Sequence, residues 1–231
     1  MNENKTKYMK CTRKETQLDK IITDNKHIDQ VRSFSYLGTT VNGNNTLEEE
    51  IRERIVKGNK AFYANRTLFK SNLVSRKSKL RLYWSVIRPV IFYGCETWVL
   101  KESIIQKLSV FERRILRKIF GPTKEANGIW RIKTNKELDE LIKHRNIMNY
   151  VKAQRLSWFG NINRMPETSI VKRKHKWKPF TGRPAGRSKS RWEDNVRNDL
   201  KKLKLINWAE QVQDCLKWKD IVEKAKTLSE L

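Results

Sequence analysis

The sequence predicts an α+β protein that is mainly helical, with short strands at the N-terminus, then a three-helix bundle, then a C-terminal helical region. Three observations predict it. Apolar and aromatic residues alternate up to an Asn-rich turn at Asn42-Gly43-Asn44-Asn45. Beyond Thr46 they recur three and four residues apart, the spacing of one helix face. Breakers at Gly121-Pro122, Met165-Pro166 and the Gly182–Gly186 stretch then divide the helical part. The resulting segments are 1–45, 46–120, 121–168, 169–191 and 192–231.

Residues 6–12, Ile21-Ile22 and Ile28–Val31 read as short strands of an antiparallel meander, with Asp24-Asn25 as a turn. So few strands need a neighbour to cover them. In Ser33–Val41, Phe34 and Tyr36 are two apart, so both rings face one way. Leu37 faces the other way, and Gly38 allows a bend or the close approach of another backbone. The chain then turns at Asn42–Asn45, whose residues tolerate positive φ.

Thr46-Leu47-Glu48-Glu49 has the form of a capping box. The helix it opens carries Ile51, Ile55, Phe62 and Phe69 on one stripe, with Arg52, Arg54, Lys57, Lys60, Arg66 and Lys70 opposite. Ser75 caps a second helix with Leu80, Trp84, Ile87 and Ile91 inward, and with Arg76, Lys77, Lys79 and Arg81 as a basic head. Pro89 is expected to kink it and Gly94 to end it. A third helix carries Ile105, Leu108, Phe111, Ile115 and Ile119 inward and ends at Gly121-Pro122.

A loop around Trp130 leads to a second capping box, Thr134-Asn135-Lys136-Glu137, and a helix through Leu138, Leu141 and Ile142. A helix over about Ile147–Phe159 follows. Lys172–Arg191 holds nine Lys or Arg and no acid, which reads as a flexible basic linker. Helices marked by Trp192, Val196, Leu200 and Leu203, then Trp208, Val212, Leu216 and Val222, form a terminal helical hairpin.

Composition narrows the function. Hydrophobic residues make up 38% of the chain and charged ones 33%, so the core is thin. Eight Trp and an aromatic share of 10% argue for a folded chain. Fifty-one Lys and Arg against 25 Asp and Glu give a net charge of +26. Such a surplus calls for a polyanion, and nucleic acid is the expected partner. No apolar run reaches spanning length, so no membrane role is expected. Cys11, Cys95 and Cys215 are far apart and join no histidine at ligand spacing, so no metal site or cofactor is expected. Buried free thiols and an intracellular, nuclear setting are expected instead.

Several stretches, kept in order, resemble the C-terminal part of a non-LTR (LINE-type) retrotransposon reverse transcriptase. They are Asn4–Met9, Phe34-Ser35-Tyr36-Leu37-Gly38, Tyr93–Trp98, Phe111–Arg117, Arg155-Leu156-Ser157-Trp158-Phe159-Gly160, and Gly182-Arg183-Pro184 leading to Arg191-Trp192. The resemblance implies that Lys5-Thr6 stand at the palm's end and that Phe34 to Gly38 form the primer grip, a hairpin holding the primer's 3′ end. It implies that Thr46–Phe120 are the thumb on the template–primer duplex, and that the rest is an extension binding RNA or DNA.

In the family, the aspartates that hold the catalytic magnesium ions precede the lysine motif; this sequence has no Asp-Asp pair. The chain alone is therefore expected not to polymerise. It would serve as a nucleic-acid-binding fragment, as an accessory subunit of a separate palm, or as the relic of a degraded element. The missing upstream polymerase portion is a candidate partner.

The expected contacts follow. Phe34 and Tyr36 serve either as grip residues or as strand core, beside Leu37 and Gly38. Lys57, Lys60, Arg66, Lys70, Arg76, Lys77, Lys79 and Arg81 read as phosphate contacts. Arg155 is expected to join them. Arg183, Arg187, Lys189 and Arg191 read as a flexible arm that orders on RNA, DNA or a hybrid. Trp158 and Trp192 read as packing residues, and Glu193-Asp194 as acids in a helix's first turn.

Overall fold

The computed structural model describes residues 2, 5–11, 18–23, 26–177 and 191–227, and shows a mainly helical α+β architecture. Strands β1 (Lys7–Tyr8), β2 (Lys20–Thr23) and β3 (Lys26–Gln30) form a sheet of order β1-β3-β2. β2 and β3 are antiparallel, but β1 runs parallel to β3, so the sheet is not the simple meander expected. The expected turn at Asp24-Asn25 lies outside the described residues. Ile28 is buried, whereas Ile21 and Ile22 stay exposed, so no neighbour covers that part of the sheet.

The Phe34 segment folds differently from its sequence reading. β4 (Ser33–Tyr36) pairs with β5 (Thr39–Asn42), Phe34 opposite Val41 and Tyr36 opposite Thr39. The chain therefore reverses at Leu37-Gly38, ahead of the Asn-rich stretch. Both residues have positive φ, 47° and 76°, the pattern of a type I′ hairpin turn. Glycine adopts it freely, while leucine there is strained by roughly 1–2 kcal/mol. Asn42–Asn45 makes a second turn, into the first helix.

Helix α1 (Glu48–Ala64) has Leu47 at its N-cap, without a side-chain cap. The expected Thr46 capping box does not form because Asn42 engages Thr46 instead. Asn42 Oδ1 accepts from the Thr46 amide at 2.9 Å, and its Nδ2 donates to Thr46 Oγ1 at 3.1 Å. α2 (Arg66–Lys70) continues after a break at Asn65. α3 (Arg76–Leu82) is capped by Ser75, as expected. A π turn, Tyr83–Ile87, then joins it to α4 (Arg88–Phe92). The wider turn advances the inward face by one residue, so Tyr83 is fully buried and Trp84 only partly. Pro89 stands in the first turn of α4, where its missing amide costs little.

α5 (Glu102–Phe120) buries Ile104, Leu108, Phe111, Ile115 and Ile119, with Ile105 only partly covered. One core joins α1, α3, α4 and α5, and it continues into Leu138, Ile142, Ile147 and Val151. The loop expected around Trp130 contains a small hairpin, β6 (Thr123–Lys124) with β7 (Trp130–Arg131). α6 (Asn135–Leu141) starts at the Thr134–Glu137 capping box, with Leu141 exposed rather than inward. α7 (Ile147–Arg164) runs further than expected.

A second core joins the later part of α7 to α9 (Trp192–Lys202), α10 (Trp208–Gln211) and α11 (Cys215–Ala225). The terminal helices thus close on α7. Leu216, expected inward, is exposed, and Trp218 is the buried residue of that turn. A Cβ at Gly160 would lie 2.1 Å from Trp218 Nε1, so only glycine lets that ring reach α7. The basic linker is also partly ordered, since Ile170–Lys176 forms helix α8. Of the thiols only Cys95 is buried, and burial pushes it up to about 12; Cys11 and Cys215 are exposed.

Arg131 braces the Trp130 hairpin against α6, reaching Glu137 at 2.7 Å and Glu125 at 2.8 Å. That guanidinium, with the Thr134 amide, lowers Glu137 from 4.5 to about 2. A carboxylate lowered by folding adds stability that is complete above its unfolded value and lost as pH falls through its folded one. The stability gap between wild type and Glu137→Gln should therefore be full above pH 4.5 and close toward pH 2 in urea unfolding. A gap that ignores pH would contradict the pairing.

Candidate nucleic-acid interface

Among the described residues, one long stretch of one-sided charge runs along α1–α3. No Asp or Glu occurs between Glu53 and Glu96. Lys57, Lys60, Arg66, Lys70, Arg76, Lys77 and Arg81 are all exposed. Lys57 is 3.8 Å from Glu53. The other six form no ion pair among the described residues. The reason lies in α1, whose acids Glu48, Glu49, Glu50 and Glu53 cluster at its start. There they complement the helix dipole and leave the cations further along without partners.

Lys79 does not belong to this ribbon. It is 8% exposed, because α3 rotates its face into the π turn and turns Lys79 inward with Tyr83. Arg54, placed by its spacing on the outer face of α1, is 5% exposed. Its Nε donates to Glu50 at 2.6 Å and its Nη2 to the Gly38 carbonyl at 2.7 Å. Glu50 in turn accepts from the Thr40 amide at 2.7 Å. This buried ion pair fastens the β4–β5 hairpin to α1. The Arg54 guanidinium also lies over the Tyr93 ring, 5.0 Å from its centroid.

The hairpin presents an apolar surface. Phe34, Tyr36, Leu37 and Val41 are all exposed, Leu37 most of all at 73%. Phe34 and Tyr36 are therefore not strand core. A strained, exposed leucine at a tip held by a buried ion pair is the kind of feature found at contact sites.

Arg155 is likewise no surface cation. It is 1% exposed, and its Nη2 pairs with Asp199 on α9 while Nη1 donates to Asn195 at 3.3 Å. Asn195 also accepts from the Leu100 amide at 2.9 Å, and Trp192 Nε1 donates to the Glu96 carbonyl at 2.6 Å. Trp192 thus packs, and Trp158 is half-buried on α7. Glu193 and Asp194 do stand in the first turn of α9. Arg191 is exposed ahead of that turn, while Arg183, Arg187 and Lys189 lie outside the described residues.

Two exposed features escaped the sequence reading. Trp130 is 63% exposed with Lys124 above its ring at 6.0 Å, an aromatic–cation pair that looks like plain loop in sequence. Lys118 lies 4.9 Å from the centroids of both Phe62 and Tyr63, which joins α5 to the end of α1. Among the described residues no three His, Cys, Asp or Glu are grouped to hold a metal ion. Nor is any described helix long and apolar enough to cross a membrane.

Comparison with known proteins returns one informative likeness. The chain is 23% identical over 208 residues to an uncharacterised transposon-derived protein of Caenorhabditis elegans, covering 87% of this chain and 74% of that one. This supports a transposon origin. No family model matches the sequence, and no solved structure matches it.

Proposed function

We propose that this chain is a nucleic-acid-binding portion of a non-LTR retrotransposon reverse transcriptase, and that alone it holds nucleic acid without polymerising it. The observation that carries the reading is the ribbon of exposed cations on α1–α3, of which the six from Lys60 to Arg81 form no ion pair among the described residues. Phosphates supply the missing charge. The docked hairpin with Phe34, Tyr36 and Leu37 at its surface suits the primer-grip part of the reading, and the likeness to a transposon-derived protein suits its origin.

Phosphate contacts position a protein without reading bases, so affinity should depend on salt far more than on sequence. Binding to an RNA–DNA hybrid is the test. The log affinity should fall with log salt by roughly 0.9 per phosphate neutralised, a value known for B-form duplex. Replacing Arg76, Lys77 and Arg81 by Ala, with Lys79 kept, should flatten the slope by up to about 2.7. Unchanged slope and affinity in that variant would end the ribbon reading.

A further inference from the structure

Apart from the ribbon, a cavity of about 440 Å³ opens where α4, the start of α7 and the end of α11 meet. Its walls include Trp84, Phe92 and Tyr150, with Arg88, Arg145 and Lys226 as the cations among them. Phe92 and Tyr150 lie with centroids 5.0 Å apart. The Arg88 guanidinium stands over Tyr150 at 5.1 Å and over Phe92 at 5.7 Å.

The polar groups here are not all satisfied. Arg88 Nη2 donates to the Arg145 carbonyl at 2.8 Å. Arg88 Nε and Trp84 Nε1, however, are buried with no hydrogen-bond partner. A buried donor without an acceptor costs about 1–3 kcal/mol and calls for an explanation. Arg145 is exposed and its side chain pairs with nothing among the described residues, while Lys226 reaches only Glu223, at 2.5 Å. The π turn matters too. It sends Tyr83 to the core, where its hydroxyl donates to Glu112 at 3.0 Å, and leaves Trp84 to line the cavity. Single π turns recur at functional sites.

We infer that this cavity takes one nucleobase with an attached phosphate. A flat ring stacks on Tyr150 or Trp84, as bases do on aromatic side chains. The phosphate falls to Arg145 and Lys226 through charge-assisted hydrogen bonds. Arg88 lies 3.6 Å from Glu112 and Lys226 pairs with Glu223, so an apolar ligand would leave Arg145 unmet, and an inorganic anion would leave the aromatic walls bare. The volume lies within the usual range for small-ligand sites, roughly 300–1,000 Å³. A free nucleotide and an unstacked nucleotide of a single strand share this chemistry. The site is separate from the ribbon.

Equilibrium dialysis of the full chain tests it, using adenosine 5′-monophosphate, adenosine, inorganic phosphate and a short oligodeoxyadenylate. The monophosphate should be retained, with adenosine and phosphate each bound at least about tenfold more weakly. Arg145→Ala and Lys226→Ala should each weaken the monophosphate by about tenfold and leave adenosine unchanged. Trp84→Ala removes a stacking wall and should weaken both; circular dichroism checks that each variant folds. Competition by the oligodeoxyadenylate would identify a strand as the source, and its absence a free nucleotide. Either result upholds the site. No retention of the monophosphate at millimolar concentration, or an affinity that none of the three variants changes, would overturn it. Hybrid binding is measured separately, so failure of the ribbon would not be mistaken for failure of the cavity.

Discussion

Arg155→Ala should destabilise the protein by about 3–5 kcal/mol, the range for removing one partner of a buried ion pair. Asp199 is 5% exposed, and its other cation, Lys152, is 4.0 Å away. Without Arg155 the carboxylate keeps its desolvation and loses its direct partner. Asn195 also loses a donor, although it keeps the Leu100 amide. Burial already lowers the Arg155 pKa in the folded state despite Asp199 beside it, which marks how dry the site is. Urea unfolding should show a lower midpoint, while the salt slope for hybrid binding stays at its wild-type value. Replacing Arg155 by Met together with Asp199 by Leu should recover much of the loss, because a well-packed apolar pair avoids desolvating charges. A fully stable Arg155→Ala protein with a flattened salt slope would return Arg155 to the binding surface.

The case of Arg155 shows where the sequence was legible and where it stopped. Helix faces could be read from spacing wherever the inward residues were apolar, as with Leu108, Phe111 and Ile115 on α5. The Thr134–Glu137 box could be read because all its partners are local. Arg54, Lys79 and Arg155 misled because an arginine or lysine at an inward position looks like any surface cation until its partner is known. Arg155 is paired with Asp199, far away in sequence, and Lys79 turns inward beside a π turn that no periodicity announces. Arg54 has Glu50 only four residues away, and what hides it is the hairpin that docks on it through the Gly38 carbonyl. Thr46 misled for a related reason. Its capping pattern is present, but Asn42, four residues earlier, competes for the same groups and wins. The exposed ribbon Lys60–Arg81 was legible as charge. That it stands free of ion pairs was not, because pairing is a property of the fold.

Arg54→Ala should have an effect of similar size, about 3–5 kcal/mol, focused on the β4–β5 hairpin. Glu50 is fully buried and would keep only the Thr40 amide. The Gly38 carbonyl would lose its donor, and Tyr93 the cation over its ring. The hairpin's other side-chain ties to α1, from Thr40 Oγ1 to Glu53 at 2.9 Å and from Asn42 Nδ2 to Glu49 at 3.4 Å, are partly exposed and weaker. Amide hydrogen exchange should therefore quicken at Thr39–Asn42 more than in α5, which has its own buried core. A double replacement, Arg54→Met with Glu50→Leu, should recover part of the stability. Recovery stays incomplete because the Thr40 amide then has no acceptor. If the hairpin touches nucleic acid, Arg54→Ala weakens binding by misplacing Phe34, Tyr36 and Leu37, yet leaves the salt slope intact, since Arg54 reaches no phosphate. Arg76, Lys77 and Arg81 give the opposite signature, a flatter slope with stability unchanged. An Arg54→Ala protein of wild-type stability and flattened slope would make Arg54 a ribbon cation and remove the anchor from the hairpin.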